Sequence, residues 1–191
     1  MPKPNVREEI LTAGLATLHS RGFNATSVQD ITEAAGVPKG SFYNHFASKE
    51  ELGAAVVELY SDRSGLRRRA LKDRTVPPLK RLRNYFEDLA SLPHYPGAPG
   101  CLLGNFGAEL SNQSAAIRGK VSAAFADWVD AVAEVIDEAQ RAGDMSRDLA
   151  PKALAAFVVD AWEGAVMRGK VEQNRAPVDL FLALIFSKVL T

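Results

Sequence analysis

Cysteine is almost absent: Cys101 stands alone among 191 residues. One cysteine makes no internal disulfide, and with only His19, His45 and His94 beside it a cysteine-rich zinc site is excluded. Neither a metal nor a cofactor is expected. Net charge is also missing, because 23 basic and 23 acidic residues cancel. Many nucleic-acid binders announce themselves by a basic surplus, and this chain does not. Up to Ala47 there are four basic residues (Lys3, Arg7, Arg21, Lys39) and four acidic ones (Glu8, Glu9, Asp30, Glu33). Any case for DNA must therefore rest on geometry. No apolar run approaches the roughly 18 residues of a membrane span. The stretch Met1 to Glu9 is polar and charged, unlike a secretory signal, so a cytoplasmic place is expected. Alternating β-branched segments, internal repeats and low-complexity tracts are absent as well.

What is present is a helical chain with a core. Hydrophobic residues make up 47% of it, enough to argue against disorder. Runs of Ala, Leu, Glu, Arg and Lys are punctuated by Gly and Pro, which predicts an all-α fold of about nine helices. The first is expected from Val6 to Ser20, with Ile10, Leu11, Ala13, Gly14 and Leu18 buried and Arg21-Gly22 as its stop. The second starts at Thr26 or Ser27, since Ser27-x-x-Asp30 and Thr26-x-x-Gln29 both resemble capping boxes. A short third helix is expected from Pro38 to His45, with Pro38 in its first turn. Ser48 caps a longer fourth. Later helices are expected from Pro77-Pro78 to near Pro93, from Gly100 to Leu110, from Ser114 to Ala142, from Pro151 to Gln173 and from Pro177 to Leu190. The proline-rich stretch Pro93 to Pro99 reads as a loop. Two domains follow from this order: residues 1–50 and residues 51–191.

Three short helices with a Gly-containing turn between the second and third match a helix-turn-helix. In that motif the third helix lies in the major groove and the second braces it. Thr26 and Ser27 place hydroxyls and free N–H groups at a helix N-terminus, a natural phosphate site. Gln29, Lys39, Ser41, Tyr43, Asn44 and His45 offer donors and acceptors to phosphates and base edges, and Lys49 reaches the backbone again. Phe42 and Phe46 read as core. Gly40 is expected where a side chain would block a close approach.

The residues Gly22-Phe23, Thr26-Ser27, Ile31 and the string AAGVPKGSFYNHFASKEEL, which ends at Leu52, are dense enough to carry a resemblance. The segment Ile10 to Leu52 resembles the DNA-binding domain of the TetR family of repressors. The resemblance implies a homodimer on a palindromic operator in double-stranded DNA, a C-terminal helical domain that holds a small-molecule inducer, and dimer pairing through the last two helices.

The C-terminal helices agree with the last point. The Pro151–Gln173 helix is apolar on more than one face, and the final helix repeats this. Phe157, Ala161, Ala165, Phe181, Leu184, Ile185 and Lys188 are the expected interface positions. The rival reading is a fully buried central helix. Cys101 is expected in the first turn of its helix, where the dipole lowers a thiol's pKa. Gly100-Cys101-Leu102-Leu103 with Ala108-Glu109-Leu110, and Trp162-x-Gly164-Ala165 with Lys170, resemble a branch of that family responsive to N-ethylmaleimide, aldehydes and acrylate. That resemblance implies an electrophile-sensing thiol. The alternative is an inert, structural Cys101 beside a non-covalent apolar ligand. Tyr60, Tyr85, Phe86, Leu89, Phe106, Phe125, Trp128 and Trp162 are candidate lining residues, with His94 and Tyr95 as a gate. An enzyme built on His94 and Cys101 lacks an orienting third group and an oxyanion site.

Overall fold

The computed structural model describes residues 5–92 and 98–191. Among them are nine α-helices and no strand. They are α1 (Val6–Arg21), α2 (Val28–Ala34), α3 (Lys39–Tyr43), α4 (Lys49–Arg68), α5 (Pro78–Ala90), α6 (Leu102–Leu110), α7 (Ala115–Ala142), α8 (Pro151–Glu172) and α9 (Ala176–Leu184). A 3-10 turn, Arg69–Lys72, follows α4, and a π-helical turn, Ile185–Val189, follows α9. None of these helices is long and apolar enough to cross a membrane.

The chain forms two compact units: Met1–Asp62 with Leu102–Ala124, and Arg63–Cys101 with Phe125–Thr191. They differ from a division at residue 50, and the reason is packing. Phe106 of α6 sets its ring edge against Phe23, 5.9 Å between centroids. Ser114 donates to Glu50 of α4, and Lys120 of α7 pairs with Glu58. Buried apolar and charged contacts thus draw α6 and the start of α7 into the N-terminal unit.

In that unit, α1 buries Ile10, Gly14 and Leu18 as its spacing predicts, and Leu15 and Thr17 in addition. Leu11 and Ala13 are only half-buried. At Gly14 a Cβ would lie 3.0 Å from Leu52 Cδ2, so α1 and α4 approach too closely for a larger side chain to fit unless Leu52 gives way. Phe42 and Phe46 are fully buried core residues, with the Arg7 guanidinium 4.9 Å over the Phe46 ring. The second unit is built on one apolar cluster in which Phe86, Trp162, Phe181 and Phe186 meet around Phe86 at centroid distances of 5.3–6.5 Å. Arg81 is buried at its edge, donating to Leu71 O at 2.6 Å and pairing with Glu138.

Several boundaries differ from expectation for identifiable reasons. Pro38 is the cap of α3, not part of its first turn, and α3 ends at Tyr43. Cys101 precedes α6 instead of lying in its first turn, because the helix begins at Leu102. Ser114 stays outside α7 as a cap, its Oγ accepting from Ile117 N–H at 3.0 Å. The last helix opens into a π turn before Leu190.

Candidate nucleic-acid interface and sensor site

The α2 start is settled by chemistry. Ser27 Oγ accepts from Asp30 N–H at 3.1 Å, and Asp30 Oδ2 accepts from Ser27 N–H at 2.7 Å, which is a capping box. The Ser27 bonds and nearby Arg21 hold the Asp30 carboxyl below its ordinary value. Thr26 is not the cap. It is buried, and its hydroxyl donates to Gly22 O at 2.7 Å. The turn from α2 to α3 is a Schellman motif: Val37 N–H reaches Thr32 O at 3.0 Å and Gly36 N–H reaches Glu33 O at 3.1 Å. Gly36 sits at φ 67°, a conformation that favours glycine.

Beyond that turn the polar residues are available. Lys39, Gly40 and Asn44 are exposed, Ser41 and His45 half-buried. Tyr43 is 58% exposed, with its ring edge on buried Phe42. A Cβ at Gly40 would meet nothing within 4 Å of the chain. The chain's own packing therefore does not require glycine there, and the expected close approach is not to another part of the chain. Gln29 is exposed and donates to Glu33 at 2.8 Å. Lys49 faces inward: its ammonium donates to Phe23 O at 3.0 Å and Thr26 O at 2.9 Å and stands 4.3 Å over the Phe23 ring. It braces the α1–α2 turn.

In the second unit Cys101 is half-buried. Its thiol hydrogen-bonds the Glu163 carboxylate, a partner that sequence reasoning missed. Burial pushes Glu163 up to about 7, the Cys101 bond opposes this, and Asp160 adds to it. Glu163 Oε1 is buried and has no donor among the described residues. Tyr85 lies beside Arg68, Cys101 and Trp128, and burial raises its hydroxyl far above the ordinary value, so it stays a neutral O–H. Lys170 donates to Pro99 O at 3.1 Å, two residues before Cys101. Arg68, Tyr85, Cys101, Trp128 and Glu163 thus form a polar patch in an apolar unit. The available signal was Glu163 itself, a lone acid between Ala161 and Val166 on an apolar helix.

The other candidates divide. Trp162 packs against Phe86 and Phe181, and Phe125 is partly buried against the same cluster. Phe106 and Tyr60 belong to the first unit, Tyr60 with its ring edge to His19 at 5.5 Å. His94 and Tyr95 lie outside the described residues. Of the expected interface positions, Phe181 and Ile185 are buried within the chain's own core. Phe157 and Leu184 are about half exposed, at 55% and 48%, and Lys188 is exposed. Phe157, Ala161, Ala165 and Leu184 line an apolar groove between α8 and α9.

Residues 10–56 match the model of bacterial regulatory proteins of the tetR family. Residues 78–185 match the tetracyclin repressor-like C-terminal domain. The chain is 43% identical to the HTH-type transcriptional repressor DhaR of Mycobacterium sp. (strain GP1), covering all of this chain and 95% of that one. It is 34% identical to the transcriptional regulator AcuR of Cereibacter sphaeroides, over 91% of this chain and 80% of that one. The crystal structure of a regulatory protein TetR from Rhodobacter sphaeroides superposes with a TM-score of 0.85 at 33% identity, covering 94% of this chain and 96% of that one.

Proposed function

Because the chain belongs to the TetR family of transcriptional repressors, whose members bind operator DNA as dimers and respond to small molecules, we propose that it binds a palindromic operator through α2 and α3 and leaves it when a small molecule enters the C-terminal unit. The family is one of regulators, not of enzymes. The observation that carries the DNA reading is Tyr43 with Lys39, Gly40 and Asn44: four exposed positions on or beside a helix of only five residues, anchored by buried Phe42. Lys39 and Tyr43 meet phosphates, while Asn44 and His45 supply base-edge donors and acceptors. The N–H groups of Val28 and Gln29, just past the Ser27 cap, are offered to a phosphate. Pairing through the α8–α9 groove gives two recognition helices for two half-sites, as closed two-fold symmetry requires. A cytoplasmic location goes with this role.

The inducer is small and mostly apolar, with its polar contact at Cys101 and Glu163. The thiol is the point at which a conjugated electrophile adds. Its proton passes to the Glu163 carboxylate as sulfur bonds to the β-carbon, the C=C electron pair shifts toward the conjugated carbonyl, and the α-carbon takes the proton back, with Tyr85, Trp128 and Arg68 beside the polar end. Lys170 keeps the Pro99–Cys101 segment in place. A ligand releases the operator only by binding one state better than the other, and a covalent bond at Cys101 supplies that difference. A second reading is favoured by the half-buried thiol being hydrogen-bonded already: Cys101 is structural and the ligand non-covalent. The test is operator release, followed by fluorescence anisotropy, for the wild type and Cys101→Ser across thiol-reactive and unreactive compounds. The first reading expects the variant to bind operator and ignore the thiol-reactive compounds. An unchanged response leaves only the second.

A further inference from the structure

α6 is far from the helix-turn-helix in sequence, yet its last turn grips the turn that leads into it, Glu109 standing 86 residues from Phe23. Glu109 Oε2 accepts from Phe23 N–H at 2.9 Å, and Oε1 accepts from Asn24 N–H at 2.6 Å. One carboxylate thus meets two successive backbone donors in the turn that leaves α1. The turn is shaped to admit it. Gly22 caps α1 at φ 88°, and a Cβ there would stand 3.3 Å from Glu109 Oε2. One helical turn before Glu109, Phe106 places its ring edge on Phe23. The same turn is held from α4 by the opposite charge, since Lys49 takes the carbonyls of Phe23 and Thr26. An anion on the N–H groups and a cation on the carbonyls leave the turn little freedom. Ser27, the next residue, is the N-cap of α2, and α3 packs on α2.

We propose that Glu109 is a positioning residue for DNA binding, setting the entry of α2 and through it the placement of α3. It touches no DNA. It supplies a charged acceptor to two successive turn N–H groups, and charge-assisted bonds of this kind are about twice as strong as neutral ones. The inference rests on α3 being the DNA-contacting helix.

The full-length wild type, Glu109→Gln and Glu109→Ala are titrated onto the duplex that the wild type prefers. Amide hydrogen exchange over residues 22–27 and thermal unfolding are measured alongside. Gln keeps one acceptor oxygen, so its operator affinity falls a few-fold, whereas Ala loses about tenfold. Exchange in the 22–27 segment rises in the same order, while α8 and α9 keep their protection. Full affinity in both variants overturns the inference. So does a loss of affinity matched by faster exchange throughout the chain, because Glu109 would then only support folding. A wild type that prefers no duplex fails differently: it removes the DNA reading itself.

Discussion

Glu163 makes the fold of this chain sensitive to pH in a calculable way. Its carboxyl is buried and rises from an ordinary 4.5 to about 7. The folded chain therefore holds a proton between those values that the unfolded chain has released. Stability falls as pH rises through that window and levels off above 7. At 1.36 kcal/mol for each pKa unit, the change between pH 5 and pH 8 is about 2–3 kcal/mol. For a chain of this size that corresponds to roughly 5–10 °C in Tm. Glu163→Gln keeps the shape and removes the titration. Thermal and denaturant unfolding of wild type and variant at pH 5, 6, 7 and 8 isolates the effect, because every other titrating group contributes equally to both. The two proteins converge near pH 5, and the variant gains steadily above it. Parallel curves over this range would show that the Glu163 carboxylate is well solvated when charged, and the burial that raises it would fall with them.

Two further results are expected. Arg81→Met removes a buried guanidinium, leaves Leu71 O without its donor and deprives Glu138 of its inner partner while Arg74 remains, so stability drops by about 2–4 kcal/mol; urea denaturation checks this, and a loss under 1 kcal/mol contradicts it. Leu184→Arg places a charge in the α8–α9 groove and converts the dimer to monomer in sedimentation with the helical content unchanged; a dimer that survives argues for another pairing face.

Much of the fold was legible because helix spacing and punctuation are local signals. Gly22, Gly36 and Pro151 mark their boundaries for steric reasons that no distant contact overrides. The core roles of Phe42 and Phe46 follow from their four-residue spacing and are observed. What sequence could not reveal is where charged side chains end. Lys49 reads as a phosphate ligand by position, yet Phe23 and Thr26 carbonyls lie within its reach. Thr26 and Ser27 both look like caps, and only Thr26's bond to Gly22 O decides between them. Glu109 and Glu163 read as ordinary helix acids. One meets a turn over eighty residues away and the other a half-buried thiol, and both partners are brought by tertiary packing. The compact units differ from a simple division along the chain for the same reason, since α6 packs with the N-terminal helices through Phe106, Glu109 and Ser114.

The central claim is that α2 and α3 read duplex DNA despite a net charge of zero. The direct measurement is a salt-dependent titration of the purified chain, and of Lys39→Ala, onto the duplex flanking its own coding region and onto a shuffled duplex. The account predicts a strong preference for the first, and a logarithmic salt slope that Lys39→Ala reduces by about one. Equal, weak binding to both duplexes would contradict it.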